Sequence, residues 1–153
     1  MRRQIILLAI LCLSGPAAAQ DVDVDSAVVH ACFDSVPRGR IDADCIGIAA
    51  RACQQGGNDT TIGIGFCLKS EFKEWDAILN REYAATRDNF AHLPKVQETL
   101  KTAQRAWIEL RDADCTVAYD RYDGGSMRTV ASGFCMLDHT ARRALDLRNM
   151  RDN

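Results

Sequence analysis

The sequence is poor in proline and aromatic residues, with only three prolines and an aromatic content of 7%. It also lacks any stretch in which apolar and polar residues alternate with a period of two for long enough to predict a β-strand. The nearest candidate, Ile62-Gly63-Ile64-Gly65, is interrupted by glycines, which favour a loop leading into a helix. These absences argue against sheet-containing folds and favour an all-α class.

Catalytic and metal-binding motifs are also absent. There is no Gly-x-Ser-x-Gly, P-loop, His-Glu-x-x-His or Cys-x-x-Cys pattern. Gly63-x-Gly65 lacks the preceding strand that a dinucleotide site requires. The three histidines, His30, His92 and His139, are scattered and fit surface or boundary positions better than catalytic ones. The sequence therefore predicts a chain that is not an enzyme and that uses neither a metal nor a cofactor.

The only long apolar run lies at the N-terminus and has the features of a secretory signal peptide. Arg2 and Arg3 precede an apolar run over residues 5–13, and Ala17-Ala18-Ala19 is a small-residue cleavage signal. The run is too short for a membrane span, which needs about 20 apolar residues. We therefore expect residues 1–19 to be removed near Ala19, with no membrane insertion and a periplasmic or secreted destination.

Two further properties of the N-terminal region and the mature chain narrow the class of protein. Cys12 lies within the apolar run and follows Leu11 rather than the small residue of a lipoprotein signal, so we expect it to be removed. Without Arg2 and Arg3 the chain has 17 basic and 21 acidic residues, a formal charge of −4. Nucleic-acid-binding domains are usually basic, so this balance argues against a nucleic-acid partner.

Six cysteines remain in the mature chain, and each consecutive pair flanks a turn signal. An even number of cysteines in an exported chain favours disulfides over a zinc site. Six cysteines allow fifteen connectivities, but the position of the turns favours pairing in sequence order. The predicted pairs and the turns between them are Cys32 and Cys45 around residues 37–40, Cys53 and Cys67 around 56–59, and Cys115 and Cys135 around 124–126.

Apolar residues spaced by three and four positions predict helices along the rest of the chain. Residues 25–35 and 42–54 form two short helical stretches, and Pro94 suits the first turn of a later helix. The fold predicted is a small disulfide-stapled helical hairpin or bundle module with two long central helices. Three apolar stripes define the longer helices: Leu68, Phe72, Trp75, Leu79, Tyr83 and Phe90; Val96, Leu100, Ala103, Trp107, Leu110 and Val117; and Val130, Phe134, Leu137, Ala141 and Leu145.

Polar residues beside these stripes are candidates for a site. A charge near a core needs partners, because an unpaired buried charge is expensive. We favour a hydrogen-bonded network that ties three helices together, with a polar binding cleft as the alternative. The residues concerned are Asp76, Asn80, Gln104, Arg111, Asp114, Thr140 and Arg143.

Several of the same residues carry a resemblance to a known family. Asp76-Ala77-Ile78-Leu79-Asn80 followed by Tyr83 resembles the D-x-x-L-N-x-x-Y signature of the lysozyme inhibitor LprI-like N-terminal domain family. Residues 104–115 resemble its Q-R-A-W-x-x-x-R-D-x-x-C core. The resemblance covers residues 53–150 and leaves residues 20–52 as an N-terminal helical extension. Its closing segment is matched by Gly124, Gly125, Ser126, Cys135, Thr140, Arg143 and Leu147.

The resemblance implies an exported, cysteine-containing helical domain from a bacterium that binds another protein. It further implies a lysozyme inhibitor whose partner is lysozyme; the alternative is a non-enzymatic scaffold or adaptor in cell-envelope assembly or maintenance. A loop closed by a disulfide is ordered before binding, which lowers the entropic cost of association. The candidate binding loop between Cys115 and Cys135 therefore comprises Gly124, Gly125, Ser126 and Arg128.

Overall fold

The computed structural model describes residues 22–151, so the predicted signal peptide and its cleavage site lie outside the described residues. Within that range the chain is all-α, as predicted, and forms no β-strand. None of these helices is long and apolar enough to cross a bilayer. The helices are α1 (Ser26–Ser35), α2 (Ile48–Gln55), α3 (Thr61–Asn89), α4 (Pro94–Asp120) and α5 (Arg128–Asn149).

The two short N-terminal helices begin at different kinds of residue. Asp25 caps α1 by accepting a 2.9 Å hydrogen bond from the backbone N–H of Ala27. The prediction of a helix over residues 42–54 was wrong at its start, because the chain turns before Ile48. Gly47 adopts a φ of 85°, a left-handed conformation that glycine tolerates and that a continuous helix does not allow.

The start of α3 also differs from expectation. Thr60 caps the helix by accepting a 3.1 Å hydrogen bond from the backbone N–H of Gly63. Residues 62–65, predicted to form a loop, therefore lie in the first turns of α3. A Cβ atom at Gly63 would lie 2.8 Å from the carbonyl oxygen of Asn58, so glycine is needed there for the preceding chain to pass close to the helix.

The core lies mainly between α3 and α5, the most extensive helix pair. Helices α1 and α2 pack against α3, and α4 packs against the outer side of α5. Phe33 of α1 meets the ring of Trp75 edge-on at a centroid distance of 6.3 Å. The largest fully buried apolar side chains are Trp75, Ile78, Leu137, Leu145 and Leu147.

The prediction that one apolar stripe of α4 faces the core was wrong for its C-terminal half. Leu110 is 56% exposed and Val117 is 67% exposed. The buried residues of α4 are instead Leu100, Gln104 and Cys115. Because α4 packs mainly against one helix, it buries a narrower strip than a core helix would.

The three predicted cysteine pairs are joined in sequence order. The Cα–Cα separations are 5.6 Å for Cys32–Cys45, 5.7 Å for Cys53–Cys67 and 5.4 Å for Cys115–Cys135. These values fall in the usual range for disulfides. The first bond ties α1 to the segment before α2, the second ties α2 to α3, and the third ties α4 to α5.

Candidate functional site

Residues 121–127 form the tip of the α4–α5 hairpin. The carbonyl oxygen of Tyr122 accepts a 2.8 Å hydrogen bond from the backbone N–H of Gly125, and Asp123 and Gly124 adopt positive φ angles of 40° and 84°. The Cys115–Cys135 disulfide joins the two helices behind this turn, and its two cysteines are 20 positions apart in sequence. The tip is therefore a short, exposed turn whose conformation is restricted at its base and within itself.

Two arginines, one in the tip and one at the start of α5 directly after it, stack on tyrosine rings; the tip includes Arg128 from here on. The guanidinium carbon of Arg128 lies 5.1 Å from the ring centroid of Tyr119, and that of Arg121 lies 5.1 Å from the ring of Tyr122. Arg121 also donates a 3.2 Å hydrogen bond to the Tyr122 hydroxyl. Cation–π stacking reduces the freedom of both arginines while leaving their N–H donors at the surface.

The predicted binding-loop residues Gly124, Gly125 and Ser126 are exposed at this tip, and Arg128 is half-buried. The carbonyl oxygen of Ser126 accepts a 3.3 Å hydrogen bond from the Thr129 hydroxyl, which helps to connect the turn to the first residues of α5. The arrangement presents the Ser126 hydroxyl and two guanidinium groups, while the carboxylates of Asp120 and Asp123 balance their charge, so the turn offers hydrogen-bond donors without a net positive charge.

Two of the predicted polar residues, Gln104 and Arg143, meet in the buried interface between α4 and α5. The amide oxygen of Gln104 accepts a 3.0 Å hydrogen bond from Arg143 Nε. Arg143 Nη1 lies 2.5 Å from a carboxylate oxygen of Asp146. The buried guanidinium is therefore compensated by one amide and one carboxylate, and it connects the two helices.

Thr140 lies one turn before Arg143 and is fully buried. Its hydroxyl has no hydrogen-bond partner among the described residues, and neither has Arg143 Nη2. Buried polar atoms without a partner usually mark a bound water or a functional site. Among the predicted polar residues, Thr140 and Arg143 are therefore the two with buried polar atoms that lack a hydrogen-bond partner within the described part of the chain.

The remaining predicted polar residues form separate pairs. His139 Nε2 lies 3.5 Å from Asp114 across the α4–α5 interface. Arg111 donates to Asp112 at 2.8 Å and stacks over Trp107 at 5.0 Å. Asp76 accepts a 3.0 Å hydrogen bond from Asn80 at an exposed position of α3. The structure thus brings polar residues of α4 and α5 together but keeps this α3 pair apart from them.

A cleft of about 280 Å³ lies beside these contacts. Arg142 in it donates a 2.7 Å hydrogen bond to Asp138 and also pairs with Asp42. Burial raises the pKa of Asp138, and the charge of the neighbouring His139 partly offsets that effect. Most charges of the cleft are therefore already paired within the protein. The residues that line it are Ile41, Trp107, Asp138, His139, Arg142, Arg143 and Asp146.

Two buried carboxylates on the core face of α3, Glu71 and Glu82, were not predicted from the sequence. Glu71 accepts backbone hydrogen bonds from Gly47 and Ala50 at 2.8 and 2.7 Å. Glu82 pairs with Arg81 and Arg151. A signal was present, because Glu71, Ile78 and Glu82 are separated by seven and four residues and so share one helical face.

One group of residues has the composition of a metal site. Candidate ligand atoms of Cys115, Cys135 and His139 all lie within 4.8 Å of one another. The two sulfurs are joined to each other at 2.00 Å, so neither is available as a thiolate ligand. In the oxidised protein this group therefore acts as a structural bond beside a histidine.

Comparison with known proteins finds one relative and one family. An uncharacterized protein from Rhizobium meliloti (strain 1021) is 30% identical over 101 residues, which cover 59% of this chain and 73% of the relative. No solved structure matches the chain. A family model described as lysozyme inhibitor LprI matches residues 52–147, which include all of α3 and α4 and most of α5. The chain therefore belongs to the lysozyme inhibitor LprI family.

Proposed function

We propose that this protein is an exported module that binds and inhibits a lysozyme, and that it does so with the tip of the α4–α5 hairpin. The observation that carries the proposal is the family match over residues 52–147, because it spans the whole tip and the disulfide behind it. The proposed role is binding rather than catalysis. Three disulfides within the described residues are in keeping with an oxidising, extracytoplasmic compartment.

The chemistry of the tip supports contact with a glycosidase cleft. Lysozymes cleave their substrate with a pair of carboxyl groups at the base of a cleft. A narrow turn bearing Ser126 and Arg128 offers a hydroxyl and a guanidinium, which are hydrogen-bond donors to carboxylates. The disulfide and the cation–π contact at Tyr119 restrict the free turn, so less conformational entropy would be lost on binding.

The net charge of the mature chain supports the same kind of partner. Residues 20–153 have a formal charge of −4, whereas lysozymes are often strongly basic. Opposite net charges accelerate the diffusional encounter of two proteins. In this proposal the overall acidic field brings the enzyme close, and the Ser126 hydroxyl and the Arg128 guanidinium then contact the carboxyl groups of the cleft.

The experiment is lysis of peptidoglycan or whole bacterial cells by lysozyme, with and without the oxidised mature protein. We expect inhibition that saturates near one protein per enzyme and that falls about tenfold or more in Arg128→Ala, with a smaller loss in Ser126→Ala. Arg105→Ala is the matched control, because Arg105 is an exposed arginine of α4 outside the tip.

Two results would count against this proposal in different ways. Inhibition that both tip variants retain in full would show that another surface meets the enzyme. A folded, oxidised protein that inhibits none of several lysozyme types would remove lysozyme as the partner. It would leave the envelope scaffold or adaptor as the function to pursue by cross-linking in the periplasm.

A further inference from the structure

An apolar groove of about 510 Å³ lies on the side of the hairpin tip, between the beginnings of α3 and α5. One wall is formed by Ile62, Phe66 and Phe72 of α3, and the other by Met136 of α5, with Tyr119 at the end nearest the tip. Ile62 is 70% exposed and Phe66 is 51% exposed. Large apolar side chains that line a depression and remain open to water are typical of docking surfaces.

Gly65 in this groove has no structural reason to be glycine. A Cβ atom built on it meets no atom within 4 Å, in contrast to Gly63, where the backbone of Asn58 leaves no room. Glycine inside a helix lowers stability relative to alanine. Gly65 therefore weakens α3 without relieving any contact in this chain, and it leaves the helix backbone accessible from the groove.

The opposite wall of the groove contains small residues. Thr129, Ser132 and Gly133 lie on one face of α5. Together with Gly65 on the α3 wall, they leave room for the backbone of a third helix at the short distances typical of helix packing. Among residues 22–151 the chain provides no helix for this position, because neither α1 nor α2 lines the groove: α2 is joined to α3 by Cys53–Cys67, and α1 is joined to the segment before α2 by Cys32–Cys45.

The lining of the groove contains a positive charge. Lys69 is the only charged residue among those described that line it. Beyond the lining, the same face of α3 continues with Lys73 and Asp76, and Arg128 lies over Tyr119, which is followed by Asp120. The charge inside the groove is therefore that of Lys69, opposite in sign to the net charge of the mature chain, and it favours a partner with acidic residues.

The walls are held in place before any partner binds. Cys67 follows Phe66 directly, Cys135 precedes Met136 directly, and Cys115 lies one turn before Tyr119. The Cys53–Cys67 and Cys115–Cys135 disulfides therefore restrict all three elements that form the groove. A preformed groove lowers the entropic cost of binding.

We propose that this groove binds an amphipathic helix of a partner protein, with apolar residues facing Gly65 and Phe66 and acidic residues facing Lys69 and Arg128. Helix-in-groove recognition of this kind uses apolar anchors spaced by three and four residues. A second copy of this chain fits less well, because the described residues that line its own groove include no acidic residue to face Lys69. The proposal does not depend on lysozyme inhibition.

The test uses a synthetic helical peptide of about five turns with leucine on one face and glutamate on the other, and a second peptide with lysine in place of glutamate. Binding to the oxidised mature protein is measured by fluorescence anisotropy. We expect the glutamate peptide to bind and the lysine peptide to bind at least about tenfold more weakly. Lys69→Glu should reduce this preference or reverse it.

Gly65→Leu is the decisive variant, since its side chain enters the groove and its Cβ has open space. We expect it to weaken binding of the glutamate peptide about tenfold or more, while circular dichroism and the denaturation midpoint show a folded protein. Val117→Ser removes an exposed apolar residue that does not line the groove and should leave binding unchanged.

Three outcomes would overturn the proposal: equal affinity for both peptides, unchanged binding by Gly65→Leu, or a wild-type dimer that Gly65→Leu converts to monomer in analytical ultracentrifugation. The dimer result would assign the groove to a second copy. Lysozyme inhibition measured on Gly65→Leu and Lys69→Glu separates the two sites, because neither residue belongs to the tip. Both variants should retain the inhibition, even where the peptide no longer binds.

Discussion

At the scale of single residues, buried charges join segments that apolar packing alone would leave loosely connected. The carboxylate of Glu71 accepts hydrogen bonds from two backbone N–H groups at the start of α2 and from the Trp75 indole at 3.1 Å. Arg148 does the converse at the end of α1, where it donates to the carbonyl oxygens of Phe33 and Val36 at 2.8 and 2.9 Å. Each charge complements the partial charge of a helix terminus.

Replacement of Glu71 should therefore destabilise the protein strongly. Glu71→Ala leaves two backbone N–H groups and an indole N–H without their acceptor, and each such group costs about 1–3 kcal/mol. We expect a loss of at least about 3 kcal/mol in the free energy of unfolding, and about 1–3 kcal/mol for Glu71→Gln, measured by urea denaturation. Glu98→Gln, at an exposed position, is the control. A Glu71→Ala variant as stable as the control would contradict this role.

The two glycines at the start of α3 should respond in opposite directions to the same substitution. Gly63→Ala places a Cβ atom 2.8 Å from a backbone oxygen and should destabilise the protein by about 1–3 kcal/mol. Gly65→Ala meets open space and should stabilise it by about 0.5–1 kcal/mol. Thermal unfolding of the two variants side by side provides the measurement. Equal changes in melting temperature would contradict the open space around a Cβ atom at Gly65, and with it the view that this glycine has no structural role in the fold.

At the scale of elements, the C-terminal half of α4 is held to α5 by a covalent bond. This half exposes Leu110 and Val117, and Cys115 is its last fully buried residue. The hairpin is nevertheless continuous, because the disulfide holds α4 against α5 close to the turn. Apolar packing therefore stabilises the first half of α4, and the disulfide stabilises the second.

Removal of this disulfide should loosen the tip before it unfolds the domain. The double variant Cys115→Ser, Cys135→Ser should lose about 3 kcal/mol of stability, the estimate for a loop of this length. Hydrogen exchange should accelerate most over residues 116–134, which the bond encloses. Val117→Ser controls for a change of side chain on the same stretch. Uniform acceleration across all five helices would instead assign the bond to global stability alone.

At the scale of the whole molecule, charge is arranged at two levels. The mature chain is acidic overall, whereas Arg128 beside the hairpin turn and Lys69 in the groove are local positive charges. The overall field acts at long range and is weakened by salt, whereas contacts at the tip act at short range. The two levels should therefore affect different steps of binding.

Association with lysozyme should slow as salt is added. Raising ionic strength from about 0.05 M to about 0.5 M shortens the Debye length and should lower the association rate constant about tenfold. The dissociation rate constant should change much less, because it depends on close contacts. Surface plasmon resonance at several salt concentrations separates the two constants. An association rate that is insensitive to salt would exclude steering by net charge.

The features of the fold that were predicted correctly depend on residues close together in sequence. The all-α class and the three disulfides were predicted because turn residues and cysteines act locally, between positions close in sequence. The helical start at residue 42 and the loop at residues 62–65 were wrong. The left-handed conformation of Gly47 prevents α2 from beginning before Ile48. The Thr60 cap and the close contact of Gly63 with the backbone of Asn58 allow α3 to begin at Thr61.

The features of the candidate site likewise fall into those that the sequence predicts and those that need the tertiary structure. The sequence by itself determined the helical periods, the positions of the turns and the six cysteines of the mature chain, because these depend on near neighbours. Only the tertiary structure decided which face of α4 is buried, which acids are enclosed, and that Gly65 opens onto a groove beside the tip. Burial and charge pairing depend on helices distant in sequence, and no spacing within one helix can specify them.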